Sequence, residues 1–167
     1  MGQAREQDGG LVADSGLSLP IPPKPAANYV AARRHGPLLF TAGQLPFVDG
    51  RLPVTGRLGD QVDTATGQEL ARLAALNALA VAHAELGSLR NVSVVQLTVF
   101  VASIPEFTSQ HLVADGASDA LVAALGPRGE HARTAVATPV LPLGSPVEVQ
   151  VVFATDGGSR GEVSEGA

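Results

Sequence analysis

At 167 residues, 45% of them hydrophobic and only 16% charged, the chain has the material for one packed domain and too much apolar surface for wholesale disorder. It has no cysteine and a single lysine, Lys24, which excludes disulfides, thiolate nucleophiles and Cys-type zinc or iron–sulfur sites and leaves almost nothing for Schiff-base chemistry. A net charge of −5 argues against nucleic-acid binding, which needs a cationic surface. No apolar run is long enough for a bilayer and no signal-peptide pattern opens the sequence, so the expectation is a soluble cytoplasmic protein.

In chain order, residues 1–16 mix Gly, charge and polar groups without any period and are expected to form a flexible leader, as are residues 157–167 at the other end. The expected domain is therefore 17–156. Leu19–Tyr29 is rich in proline, so it is expected to be extended and not a central strand. Tyr29–Arg33 and Leu38–Gly43 flank a His-Gly-Pro turn and predict a hairpin. Phe47–Gly59 holds an Asp-Gly pair, Pro and further Gly, and predicts a loop.

From Thr66 the period turns helical. Thr66 and Glu69 have capping-box spacing, Leu70, Leu73, Ala74, Asn77, Ala80, Val81 and Ala84 recur at three and four residues, and Gly87 supplies the stop. Asn77 interrupts the apolar stripe, a position where an amide is expected to bond to backbone inside the core. Val92–Ala102 predicts a strand with Val95, Leu97, Val99 and Val101 on one face and Val94, Gln96, Thr98 and Phe100 on the other. A weaker helix is predicted from Glu106 to Leu125, ended by Gly126-Pro127. Thr134–Thr138 and Val147–Ala154 predict two final strands, joined across a turn holding Pro142, Gly144 and Pro146. The order β-β-α-β-α-β-β is an α+β pattern, one sheet carrying two helices. In the last strand Val147, Val149, Val151 and Phe153 suit the helix-covered face. The opposite face, Glu148, Gln150, Val152 and Ala154, is too apolar for open water and too polar for a dry core, which suits packing against another subunit.

Most strong chemical motifs are absent. His35, His83, His111 and His131 are scattered without metal-ligand spacing, there is no phosphate-binding Gly-rich loop, and the Gly157–Gly161 match to G-x-S-x-G lacks the helix that a nucleophile elbow requires. No metal and no cofactor are expected. Two residues stand out instead: Arg133, at the start of a strand, and Glu148, inside an apolar one. If the two strands pair as neighbours, guanidinium and carboxylate come together. They would form either an ion pair tying the strands or an Arg fork awaiting an anionic ligand beside a carboxylate that holds water or a proton.

At these residues the sequence resembles the Rid family of reactive intermediate deaminases, also called RidA or YjgF and labelled endoribonuclease L-PSP. The resemblance spans about residues 17–155. It is carried by Leu38–Pro46 with Asp49-Gly50, by Ala75–Leu79, by Gln96–Val101, and by Ala132–Val136 with Leu141-Pro142 and Val147–Val149. It implies a chorismate-mutase-like homotrimer with clefts between subunits, in which a small carboxylate-bearing substrate is bound. By resemblance, Arg133 would grip the carboxylate of a 2-imino or 2-amino-2-enoic acid, and Glu148 with the Ala135 carbonyl would hold the attacking water. Tyr29, thirteen residues before Ala42, would line the cleft, and Gly43 would give the ligand access to the backbone. Family deaminases carry Ser at the position of Ala42, commonly Cys at that of Ala135, and an Asn on the second helix. This chain offers His111, Asp115 and Ser118 on that helix instead, each readable also as part of a solvated face, and His131 as a cleft-edge acid or base. The implied activity is hydrolysis of the imine to a 2-keto acid and ammonia. The alternatives are a non-catalytic binder of small carboxylates and, from the family label alone, an endoribonuclease or translation inhibitor.

Overall fold

A computed structural model describes residues 17–25 and 27–156 together with the backbone of Leu11 and Val12. The expected leader and tail, and the Gly157–Gly161 match, otherwise lie outside the described residues. The elements run β1 (Leu11–Val12), β2 (Leu17–Ser18), β3 (Ala32–His35), β4 (Leu38–Thr41), α1 (Thr64–Leu86), β5 (Val92–Ala102), α2 (Gln110–Leu125), β6 (Ala132–Thr138) and β7 (Val147–Thr155). β1 and β2 pair only with each other. From β3 onward the order is the expected β-β-α-β-α-β-β.

The main sheet has five strands in the order β3-β4-β7-β5-β6. β5 and β6 are parallel and every other neighbouring pair is antiparallel, so the sheet is mixed. The parallel pair follows from α2, because a strand can re-enter beside its predecessor in the same direction only through a crossover. Leu97, Val99 and Val101 of β5 and Val147, Val149, Val151 and Phe153 of β7 are fully buried beneath the helices. Small side chains let α1 approach closely: Ala71, Ala74, Ala75, Ala78 and Ala82 are also fully buried. The two helices meet almost backbone to backbone, since a Cβ on Gly116 of α2 would overlap the Gln68 carbonyl of α1. Gln68 Nε2 donates to Leu112 O across the same contact at 2.9 Å.

Four local expectations are corrected. The cap of α1 is Asp63, whose carboxylate accepts from Thr66 N at 2.7 Å, while Glu69 pairs with Arg72; an acceptor one residue before the helix outcompetes the box. α2 begins at Gln110, not Glu106. β5 carries a bulge between Val94 and Gln96, so Val94 is buried and Val95 is 44% exposed; one inserted residue reverses the faces on that side of it. Finally, β6 and β7 are not neighbours. β5 lies between them, because the α2 crossover commits β6 to one edge of β5 and β7 fills the other.

Asn77 behaves as expected. Its Nδ2 donates to Leu45 O at 2.9 Å and to Phe47 O at 3.1 Å, so α1 fixes the segment that leaves β4 and borders the site described next.

Candidate functional site

Glu148 sits beside an irregularity in the sheet. Phe40 pairs with Val152 and Gln44 with Val149, so four steps along one strand oppose three along the other, a bulge containing Ala42 and Gly43. Thr41 Oγ1 holds its near side by accepting from Val151 N at 3.1 Å, and Gln44 Nε2 holds its far side by donating to Ala42 O at 3.1 Å. The protruding backbone lies against the Glu148 carboxylate, and a Cβ on Gly43 would overlap Oε1. Glycine lets the backbone and the carboxylate lie in contact there, where a Cβ would push the Glu148 side chain aside. The Gly43 N–H makes no hydrogen bond to another described residue, leaving a donor beside the carboxylate.

Gly43 and Glu148 line a pocket of about 190 Å³ with Lys24, Tyr29, Leu45 and Leu143 among its walls. Three expected site residues, Tyr29, Gly43 and Glu148, are thus brought together, with Ala42 next to them in the chain. Lys24 is the residue that the sequence reading missed. Its only signal was its singularity. Burial alone raises the Glu148 pKa above its ordinary value of 4.5, because removing water disfavours the charged form. A carboxyl whose folded pKa is raised contributes stability below its unfolded pKa and loses it as pH rises through the folded value. Glu148→Gln removes this penalty, so the variant is expected to be more stable than the native protein at neutral pH, with the gap closing as pH falls through the raised value and gone below pH 4.5. Thermal unfolding of both proteins across that range measures it.

Arg133 lies elsewhere. It pairs with Leu97, on the helix-covered face, whereas Glu148 pairs with Phe100, on the opposite face, and directly paired residues share a face. The expected meeting of Arg133 and Glu148 between neighbouring strands therefore does not occur within one chain. Arg133 instead turns toward α2: Nη1 donates to Asp115 Oδ1 at 2.8 Å and to Ser118 Oγ at 3.1 Å, and Nη2 donates to the His111 carbonyl at 3.3 Å. His131, two residues earlier on the same side, completes the group, with Nε2 3.1 Å from Ser118 Oγ and Nδ1 2.6 Å from Gly129 O. His111 contributes its backbone, not its ring. Ala135 shares the face of Arg133 and packs against the core.

One chain thus holds two separate groups. The first is a pocket with a bare backbone amide, a tyrosine, a lysine and a carboxylate of raised pKa. The second is a guanidinium on an edge strand. Among the described residues no three His, Asp or Glu side chains converge as metal ligands would, and no helix is long and apolar enough to cross a membrane.

The sequence pattern of the family described as Endoribonuclease L-PSP matches residues 21–155. The Trypanosoma cruzi protein TCP17 is 43% identical over 139 residues, covering 82% of this chain and 87% of its own. The crystal structure of Atu1372 from Agrobacterium tumefaciens, of unknown function, is 42% identical with a TM-score of 0.80, covering 89% of this chain and 92% of that one. A Shewanella oneidensis structure whose name places it with the endoribonucleases is 32% identical with a TM-score of 0.81, covering 87% and 96%. With the family's sequence pattern spanning the folded region and the same fold in its relatives, the chain belongs to the endoribonuclease L-PSP family, also called Rid or YjgF.

Proposed function

We propose that this protein hydrolyses small 2-imino and 2-amino-2-enoic acids to 2-keto acids and ammonia, in clefts where one protomer supplies Arg133 and another supplies Glu148. The observation that carries this reading is the division of the site. A guanidinium on edge strand β6 and a carboxylate beside the Gly43 bulge, on opposite faces of one sheet, become a single site only across a subunit contact. A homotrimer provides three equivalent contacts of this kind.

The chemistry asks little of the protein. The imine carbon is already electrophilic, so catalysis reduces to fixing the carboxylate, excluding bulk water and aiming one water molecule. Arg133 grips the carboxylate through its planar fork, with the free Gly43 N–H as a further donor. Water held by Glu148 and the Ala135 carbonyl adds to C2, and Glu148 takes its proton. Glu148 passes that proton to the imine nitrogen to give the carbinolamine, then takes the proton of the C2 hydroxyl and hands it to the nitrogen as the C–N bond breaks, so that ammonia leaves and the C2 oxygen becomes the keto group. The 2-amino-2-enoic acids enter as their imine tautomers, protonated at C3. A carboxylate whose pKa is raised by burial is better matched to proton exchange near neutral pH than an exposed one. Tyr29 walls the pocket, and His131 and His111 stand behind the guanidinium.

Two observations favour a second reading, a binder of small carboxylates without turnover. Ala42 offers no hydroxyl at the bulge, and Asp115 already occupies Arg133. RNA cleavage, the activity in the family's name, is opposed by the net charge of −5. Generating 2-aminoacrylate in the presence of the protein and following keto-acid release separates the readings. Acceleration over buffer supports the hydrolase; saturable binding of pyruvate without acceleration supports the binder and overturns the hydrolase.

A further inference from the structure

The group around Ser118 contains more than a mount for Arg133. His131 Nδ1 lies 2.6 Å from the Gly129 carbonyl. A carbonyl can only accept, so Nδ1 carries the proton in the neutral ring and Nε2 presents its lone pair. That lone pair is 3.1 Å from Ser118 Oγ, which makes the hydroxyl the donor. Arg133 Nη1 donates to the same oxygen at 3.1 Å, and the same nitrogen donates to Asp115 Oδ1 at 2.8 Å, which holds the guanidinium in place. The serine therefore gives its proton toward a base while receiving a hydrogen bond from a cation. A nucleophile bonded to a base, a base bonded to an orienting acceptor, and a positive group beside the reacting oxygen are the three geometric parts of an activated serine.

The fold supplies this arrangement economically. Asp115 and Ser118 are three apart on α2 and so share a face. His131, just before β6, and Arg133, within it, both reach Ser118 Oγ. Ser118 and His131 are each only partly buried, unlike Ser145, which is fully buried and donates to Val147 O. Among the described residues no other serine is bonded to a histidine ring.

We propose that Ser118 is a nucleophile with His131 as its general base, acting on small carboxylic esters. This goes beyond imine hydrolysis and does not depend on it. Ser118 Oγ forms a bond to the ester carbonyl carbon as its proton passes to His131 Nε2, and the oxyanion develops beside Arg133. The bond to the alkoxy oxygen then breaks, and that oxygen leaves as the alcohol with the proton from His131. Water, deprotonated by His131, adds to the acyl-serine. The carboxylic acid leaves and Oγ recovers its proton.

The test is covalent labelling of the whole chain with a fluorophosphonate, in which Oγ displaces fluoride at phosphorus. Intact mass is expected to rise by one adduct per chain, mapped by peptide sequencing to Ser118. Ser118→Ala is expected to abolish the adduct. His131→Gln, which can keep a hydrogen bond to Gly129 O, is expected to slow labelling by about 10²-fold or more. p-Nitrophenyl acetate hydrolysis should fall in parallel. No adduct on the native chain, an adduct on another serine, or an undiminished rate in a folded His131→Gln variant overturns the proposal. Imine turnover does not enter any arm, so the two readings fail separately.

Discussion

Arg133→Ala is expected to lower kcat/KM for a 2-imino acid by about 10²- to 10³-fold, the loss that follows when one partner of a desolvated charge pair with a bound carboxylate is removed. The same change should cost the fold little. The Arg133–Asp115 pair lies at the surface, with side chains 27% and 45% exposed, and ion pairs in such settings contribute about 0–1 kcal/mol. A nearly unchanged unfolding transition beside a collapsed rate separates a ligand-gripping residue from a structural one. Arg133→Lys keeps the charge but not the planar fork, so it is expected to recover only part of the rate. In the resting chain Arg133 donates to Asp115, so under the proposed reading the substrate carboxylate must displace Asp115 or use the remaining guanidinium donors. Steady-state kinetics of the three proteins against in situ generated 2-iminopropanoate check the series. A Arg133→Ala rate within a few-fold of the native one contradicts the assigned role.

The second large effect is on stability. Phe153 is fully buried on β7, the strand held between β4 and β5, where it pairs with Leu39 on one side and Val94 on the other. A core assembled chiefly from Ala, Val and Leu has few groups large enough to fill the space that an aromatic ring leaves. Phe153→Ala is therefore expected to destabilise the protein by about 3–5 kcal/mol, the transfer loss plus a cavity that neighbours only partly close. That is a substantial share of the roughly 5–15 kcal/mol available to a domain. Urea unfolding should show a lower midpoint with an unchanged slope. A loss below about 1 kcal/mol would mean that the sheet closes over the gap, contrary to the burial of its paired neighbours Leu39 and Val94.

Much of this architecture is legible in the residues. The alternation of Val147, Val149, Val151 and Phe153 identifies the buried face of β7, the three-and-four spacing behind Leu70 identifies α1, and Asn77 lies in the core bonded to backbone as an amide in an apolar stripe must be. Periodicity is a local property, however, and strand order is not. Nothing local says that β7 enters between β4 and β5, since that choice depends on which edge of β5 the α2 crossover leaves open. The bulge at Val95 is likewise invisible, because an unbroken run of β-branched residues reads the same with or without an inserted residue. Both gaps bear on the site. A hairpin of β6 and β7 would place Arg133 beside Glu148 in one chain, whereas the observed order puts them on opposite faces with β5 between. Gly43 and Tyr29 are legible through the family resemblance, and the pocket that joins them to Glu148 is lined by Gly43 of the bulge. Lys24 reaches it from the proline-rich segment, which has no periodicity to betray its position.

Mixing two inactive variants tests whether Arg133 of one protomer works with Glu148 of another. Arg133→Ala and Glu148→Gln proteins, each nearly inactive alone, are unfolded together in equal amounts and refolded, then assayed for keto-acid release from an in situ generated imine. If each site draws its two groups from different subunits, random assembly restores both groups in about a quarter of the sites, and activity should return toward that fraction of the native rate. If both groups of a site come from one chain, no mixture can hold an intact site. Activity that stays at the level of the separate variants, while mixed oligomers are present by native mass spectrometry, would show that Arg133 and Glu148 do not combine across subunits.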